Sequence, residues 1–244
     1  MKAPLLIAIL ASALALSACQ KTDDAAFGAR VRAYLLEHPE VIEEAVTKLR
    51  QGQMLEAAKA QAPAIGRLRQ QLERDPRDLV INPSGTVTVV EFFDYRCGYC
   101  KQIAPEVMKL IAEHPDVRVV FKEFPIFGEV SDSAARMALT SAGKGKGVAL
   151  YKAWMNDRGL TEAALDRHLA EVGLDPAAVR VAAASPAITQ QLQDVRALAR
   201  ALGLEGTPAF VVGDYLIPGA DMNALRAAIA KVRAGDGRPA ANPT

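Results

Sequence analysis

Residues 86–101 read TVTVVEFFDYRCGYCK. The first eight, Thr86 to Phe93, are β-branched and aromatic apart from Glu91, the composition of a strand buried on both faces. Two cysteines follow at once, Cys97 and Cys100, with Gly98 and Tyr99 between them. The chain holds only one other cysteine in 244 residues. Residues 98–113 then carry Ile103, Val107, Leu110 and Ile111 at helical spacing, and His114-Pro115 stops the pattern. The pair therefore sits where a strand gives way to a helix. It could be a structural staple, half of a metal site, or a reactive dithiol.

Outward from this junction the elements follow in order. Leu79 to Ile81 is a short apolar run, and Asn82-Pro83-Ser84-Gly85 is a turn. Val117 to Phe124 reads as another strand. Residues 131–203 look helical throughout, with Asp175-Pro176 and Ser185-Pro186 as start signals and Gly203 as a stop. Ala209 to Val212 and Tyr215 to Ile217 flank Gly213-Asp214, a hairpin signal. Asp221 to Val232 is a last helix, and residues 235–244 read as a disordered tail. A β-α-β half, a block of helices and a β-β-α half make the expected class α/β: a thioredoxin fold over residues 77–234, with a large helical insertion at about 131–203.

Upstream, residues 1–18 have a positive start at Lys2 and an apolar run over residues 4–16, the pattern of a secretory signal peptide. Leu16-Ser17-Ala18-Cys19 resembles a lipobox, which makes Cys19 a lipidation site instead of a third redox thiol. Gln20 after it gives no inner-membrane retention signal. The expected location is the periplasm, anchored by lipid to the outer membrane. Residues 19–76 comprise a short tether and an amphipathic helical segment. Pro39 interrupts this segment, Pro63 is expected to kink or divide it, and Asp75-Pro76 ends it. Its apolar stripe must pack on the following domain or on copies of itself.

Balanced charge excludes several functions. The formal net charge is +1, without the basic stripe of a nucleic-acid binder. Zinc needs about four ligands, and the chain offers one CxxC and three scattered histidines, His38, His114 and His168. Lys101 stands where haem attachment needs histidine. Residues 142–147, AGKGKG, lack the spacing of a phosphate loop and read as an interhelical turn. Trp154 and Met155 read as core. A staple across three residues closes too small a loop to stabilise much. That leaves a reactive pair, for which no cofactor is expected. Copper(I) is the alternative, because two soft thiolates suit it.

The thiolate is the attacking species, and an unassisted cysteine is mostly protonated at neutral pH. Cys97, at the amide-rich mouth of a helix, is expected to be the exposed, acidified nucleophile. Cys100, one turn further in, is expected to be the buried resolving thiol. Glu91, on the strand face beneath the helix, is placed to take the proton from Cys100, and Lys122 on the neighbouring strand could hold it ionised.

The strand ending EFFDYRCGYCK, the later FKEFPIFG, the helical insert and Gly206-Thr207-Pro208-Ala209-Phe210 resemble the DsbA-like periplasmic thiol-disulfide oxidoreductases. With VRAYLLEHPEVIEEAVTKL near the N-terminus, the likeness is to the suppressor-of-copper-sensitivity C branch and related DsbA-like outer-membrane proteins. The resemblance covers about residues 27–232. It implies an acid at Glu91 and a cis bond at Thr207-Pro208 beside the cysteines. Thr207 and Pro208, with Gly98 and Tyr99, would receive an extended substrate. It implies unfolded or misoxidised periplasmic proteins as substrates, a membrane thiol-disulfide redox partner, and a homo-oligomer through the N-terminal helices. CGYC carries no histidine, so its first thiol is expected between the values of DsbA, about 3.5, and thioredoxin, about 7. Such a pair favours isomerase or reductase over oxidase.

Overall fold

The computed structural model describes residues 24–235. The expected signal peptide, the expected lipidation site Cys19 and the rest of the expected tail lie outside them. By compactness the chain divides between Gln53 and Met54.

In the first unit, residues 24–37 are helical, helix α1. It ends at His38-Pro39, and α2 (Glu40–Glu73) begins immediately after. Phe27, Val31 and Tyr34 on α1, and Ile42, Val46 and Leu49 on α2, repeat the i, i+4, i+7 spacing and are all exposed. Helix α2 runs through Pro63 as one helical segment, so the expected division there does not occur. Proline removes one backbone bond of a long ladder. Downstream of it Ile65 and Leu72 are fully buried, and that packing offsets the lost bond.

The second unit is built on a five-stranded sheet ordered β1-β3-β2-β4-β5, with β1 Leu79–Ile81, β2 Val87–Phe93, β3 Val117–Glu123, β4 Ala209–Val212 and β5 Tyr215–Pro218. Only β2 and β3 are parallel, paired Glu91 to Phe121 and Phe92 to Lys122. Helix α3 (Gly98–Glu113) connects them. Strand period two sorts the side chains. Val87, Val89, Phe93, Val119 and Phe121 join the larger core, with Ile103 and Val107 of α3. Val90, Phe92 and Val120 face the other way, against Ile65 and Leu72 of α2.

The insertion contains α4 (Glu129–Leu139), α5 (Ser141–Gly145), α6 (Gly147–Asn156), α7 (Glu162–Glu171), α8 (Pro176–Ala183) and α9 (Pro186–Ala201). Helix α9 covers the second core with Val195, Leu198 and Ala199, while Trp154 and Met155 of α6 are buried in the first. The AGKGKG stretch is mostly the short helix α5 and not a turn. A Cβ on Gly143 would collide with the carbonyl oxygen of Met137, so glycine there serves close packing. The last helix, α10 (Met222–Arg233), closes the larger core with Leu225, Ala228 and Ile229.

Candidate active site

Strand β2 delivers Asp94-Tyr95-Arg96-Cys97 to the mouth of α3. Cys97 is the N-cap of that helix, with φ −68 and ψ 119, and its sulfur accepts the Cys100 N–H at 3.3 Å. As a thiol it also donates to the Thr207 carbonyl oxygen at 3.2 Å. The Thr207-Pro208 peptide bond is cis. Gly98 and Tyr99 form the first turn of α3, and Tyr99 is 68% exposed.

Cys97 differs from expectation in one respect. It is 2% exposed, hardly more than Cys100 at 0%. The Thr207 carbonyl sits against its sulfur, so a partner must approach past that loop. Its acidity is nevertheless strong, with the pKa lowered to about 6. The hydrogen bond from Cys100's own side chain contributes most, against the cost of burial. The Thr207 side chain and the Cys100 and Tyr99 amides add to the lowering. The helix mouth is thus a lesser influence than the sulfur one turn behind. Thr207 Oγ1 is buried and has no hydrogen-bond partner in the dithiol state, which leaves it free to donate once Cys97 ionises. Cys100 is pushed far up, first by burial and then by its bond to Cys97.

Glu91 is fully buried on the face that carries Cys97 and α3. Burial pushes its carboxyl up to about 8. A hydrogen bond from Tyr151 lowers it, and the charge of Cys97 raises it further. Lys122 does not serve it. Phe92, not Glu91, is its register partner. Its ammonium therefore points to the opposite face, where it pairs with Asp78 and donates to the Gln71 carbonyl at 2.6 Å. A one-residue offset on a strand reverses the face, which is why the expected Glu91–Lys122 pair does not form.

Two residues of the site went unread in the sequence. Buried Asp94 accepts four hydrogen bonds. The Arg96 N–H and Ser131 hydroxyl reach one oxygen at 2.6 and 2.8 Å. The Ile126 and Phe127 N–H groups reach the other at 2.7 and 3.1 Å. An aspartate two residues before a turn amide is a readable Asx signal. Tyr151, whose hydroxyl lies 3.2 Å from Glu91 Oε1, had no signal, since it stands 60 residues away. Lys101 extends from α3 to the carbonyls of Trp154 and Asp157, at 2.7 and 2.6 Å. The histidines lie elsewhere: His38 between α1 and α2, His114 at the far end of α3, and His168 against Asp157 and Glu171. Among the described residues no three His, Cys, Asp or Glu side chains are grouped to hold a metal ion. None of the described helices is long and apolar enough to cross a membrane.

Residues 88–230 match the DSBA-like thioredoxin domain, and residues 23–54 match the copper resistance protein ScsC N-terminal domain. A thioredoxin-like oxidoreductase from Silicibacter pomeroyi is 43% identical, with TM-score 0.65 over 68% of this chain and 98% of that one. The catalytic domain of Proteus mirabilis ScsC is 28% identical, with TM-score 0.64 over 71% of this chain and 98% of that one. A curated relative, the Na(+)/H(+) antiporter NhaA 3 of Salinispora tropica, is 43% identical over 54 residues, 21% of this chain, and the chain spans 8% of its length. With a strand-to-helix CGYC pair beside a cis proline, and the family match running over more than half its length, the chain belongs to the DSBA-like thioredoxin-domain family, preceded by a ScsC-type N-terminal domain.

Proposed function

We propose that the chain catalyses thiol-disulfide exchange on unfolded or misoxidised periplasmic proteins, as an isomerase or reductase. One observation carries this: two adjacent sulfurs with opposite acidities, Cys97 lowered to about 6 and Cys100 held protonated by burial. At pH 7 the lowered pKa favours the Cys97 thiolate over the thiol.

The Cys97 thiolate attacks a substrate disulfide, forming a Cys97–substrate S–S bond and releasing one substrate thiolate. Cys100 then gives its proton to the Glu91 carboxylate and attacks Cys97. That step forms the Cys97–Cys100 disulfide and releases the second substrate thiolate. Glu91 is suited to the timing. Once Cys97 is tied up in the mixed disulfide its negative charge is gone, and with it one of the influences holding Glu91 protonated. The base becomes available at the stage that needs it. In isomerisation a substrate thiol displaces Cys97 first. Thr207 and Pro208, with Gly98 and Tyr99, border the attacking sulfur and form the surface for an extended substrate.

Direction follows from potential. A value of about 6 lies nearer thioredoxin, about 7, than DsbA, about 3.5. That supports a mild couple kept reduced by a membrane thiol-disulfide partner. The exposed i, i+4, i+7 stripes of α1 and α2 support self-association into an assembly with several active sites. Lipidation at Cys19 would tether that assembly to the outer membrane. The deciding assay is reactivation of scrambled ribonuclease by reduced protein. Efficient oxidation of reduced ribonuclease by the oxidised form, without reactivation, would instead establish a DsbA-type oxidase.

Copper(I) capture by Cys97 and Cys100 is the second reading, favoured by the match of residues 23–54 to a copper resistance protein's domain. The high pKa of Cys100 opposes it, because a second thiolate forms only at a cost. Titration of the reduced protein with copper(I), beside Cys97→Ala, separates the two.

A further inference from the structure

Glu91 lies in an apolar core, and a base in such a place needs something to keep part of it ionised. The groups facing it are Cys97 and Cys100 from α3, Tyr95 from the active-site loop, Glu123 from β3 and Tyr151 from α6. None is a cation. Lys122 is on the other face of the sheet, and Lys101 spends its protons on α6 carbonyls. Burial and the charge of Cys97 disfavour a carboxylate. Among the described residues, the Tyr151 hydroxyl is the one donor to Glu91, reaching Oε1 at 3.2 Å and Oε2 at 3.4 Å.

The placement of that hydroxyl is over-determined. Tyr151 is 1% exposed, and its ring packs edge-on or tilted against Phe93, Tyr95 and Phe121 with centroids 5.0 to 6.4 Å apart. One turn along α6, the Trp154 carbonyl takes a hydrogen bond from Lys101, the residue after Cys100. The helix of the insertion is thereby pinned to the helix that carries the cysteines.

We propose that Tyr151 is the positioning residue for Glu91, and that the helical insertion supplies, through it, the hydrogen bond that keeps the buried carboxylate accessible for the Cys100 proton. This rests on the thiol-disulfide function proposed above. The proton leaves Cys100 Sγ for Glu91, while Tyr151 keeps its own proton and orients the acceptor. A phenyl ring at 151 preserves the packing and removes the donor. A hydrogen bond to a charged group of this kind shifts a titration by about one pH unit, so without it the fraction of Glu91 present as carboxylate at pH 7 falls about tenfold.

The test uses Ellman's reagent on the full chain carrying Cys19→Ser, so that only the CGYC pair reacts. The reagent gives two thionitrobenzoate releases. The first reports attack by Cys97. The second reports attack by Cys100 on the mixed disulfide. Tyr151→Phe should raise the pH midpoint of the second release by about one unit and slow it about tenfold at pH 7, relative to the first. In a Glu91→Gln background the same substitution should do nothing further. A 3-fluorotyrosine at 151, a stronger donor that keeps the hydroxyl, should move the midpoint downward. If Glu91→Gln abolishes the inflection but Tyr151→Phe and 3-fluorotyrosine leave it in place, the inference is overturned and the exchange mechanism stands. Equal slowing by Tyr151→Phe with and without Glu91 also overturns it. If Glu91→Gln itself leaves the second release unchanged, the proton role of Glu91 fails, and this proposal with it.

Discussion

Cys97 Sγ and the carbonyl oxygen of Thr207 lie 3.2 Å apart, although 110 residues separate them in the chain. The contact joins the β-α-β half of the fold to the β-β-α half at the reactive atom. It also explains why the sulfur is nearly inaccessible. The backbone that covers Cys97 is the backbone proposed to receive the substrate.

The acidity of Cys97 is assigned chiefly to the Cys100 side chain. Cys100→Ala should therefore raise the midpoint for alkylation of Cys97 from about 6 towards the ordinary cysteine value. Thiolate absorbance at 240 nm across a pH series reads this directly. A midpoint that stays near 6 in the variant would transfer the credit to the amides at the helix mouth.

Stability of the reduced protein should depend on pH through Cys97 on one side and the buried acids Glu91 and Glu123 on the other. Glu91, raised from 4.5 to about 8, stabilises fully below pH 4.5, and its contribution is lost as pH rises through 8. Cys97, lowered from 9.0 to about 6, stabilises fully above pH 9, and its contribution is lost as pH falls through 6. Between pH 6 and 8 the slopes oppose each other. Glu123, pushed well above the usual carboxylate range by burial, adds a second falling slope across that window. Stability to urea there should therefore fall with pH for the parent and be nearly flat for Glu91→Gln. It should fall more steeply with pH for Cys97→Ser. Parallel curves for all three proteins would contradict both assignments.

Lys122 and Asp78 are both almost fully buried and paired on the face away from the cysteines. Lys122→Met strands a buried carboxyl and should cost about 3–5 kcal/mol in denaturant unfolding. The second thionitrobenzoate release should keep its pH midpoint. A shift of that midpoint would mean that charge on this face reaches Glu91 through the sheet.

Asp94 ties the cysteine loop to the Ile126-Phe127 loop and to Ser131 of α4. Asp94→Ala leaves four donors without their acceptor and should destabilise by roughly 3 kcal/mol. Amide exchange should accelerate at Ile126 and Phe127 before the rest of the domain. Uniform acceleration would deny Asp94 a local role.

The two halves of the N-terminal helical region should respond differently to substitution. Leu72→Ala opens the second core and should cost about 3 kcal/mol, with the assembly state unchanged. Val31→Lys with Val46→Lys, on the exposed stripes, should lower the mass measured by light scattering while the melting of the thioredoxin unit stays put. A monomeric parent chain would remove the basis for self-association.

Much of this molecule is legible in one dimension. The β-branched and aromatic run Thr86 to Phe93, the helical stripe after Cys97, the Asp-Pro and Ser-Pro starts and the Gly213-Asp214 hairpin are local signals, each set by backbone geometry within a few residues. They placed Cys97 at a helix mouth, Cys100 behind it and Glu91 on the correct face, because strand and helix periodicity orient side chains without help from the rest of the chain. What stayed hidden depends on which distant elements meet. The cover over Cys97 comes from residue 207, the donor to Glu91 comes from residue 151, and Lys122 turns to Asp78 and the Gln71 carbonyl of α2 because both lie on its side of the sheet. Pro63 is tolerated because Ile65 and Leu72 find a core. Periodicity decides the direction of a side chain. Only tertiary packing decides what it meets there, and in a low-dielectric interior that neighbour sets its charge.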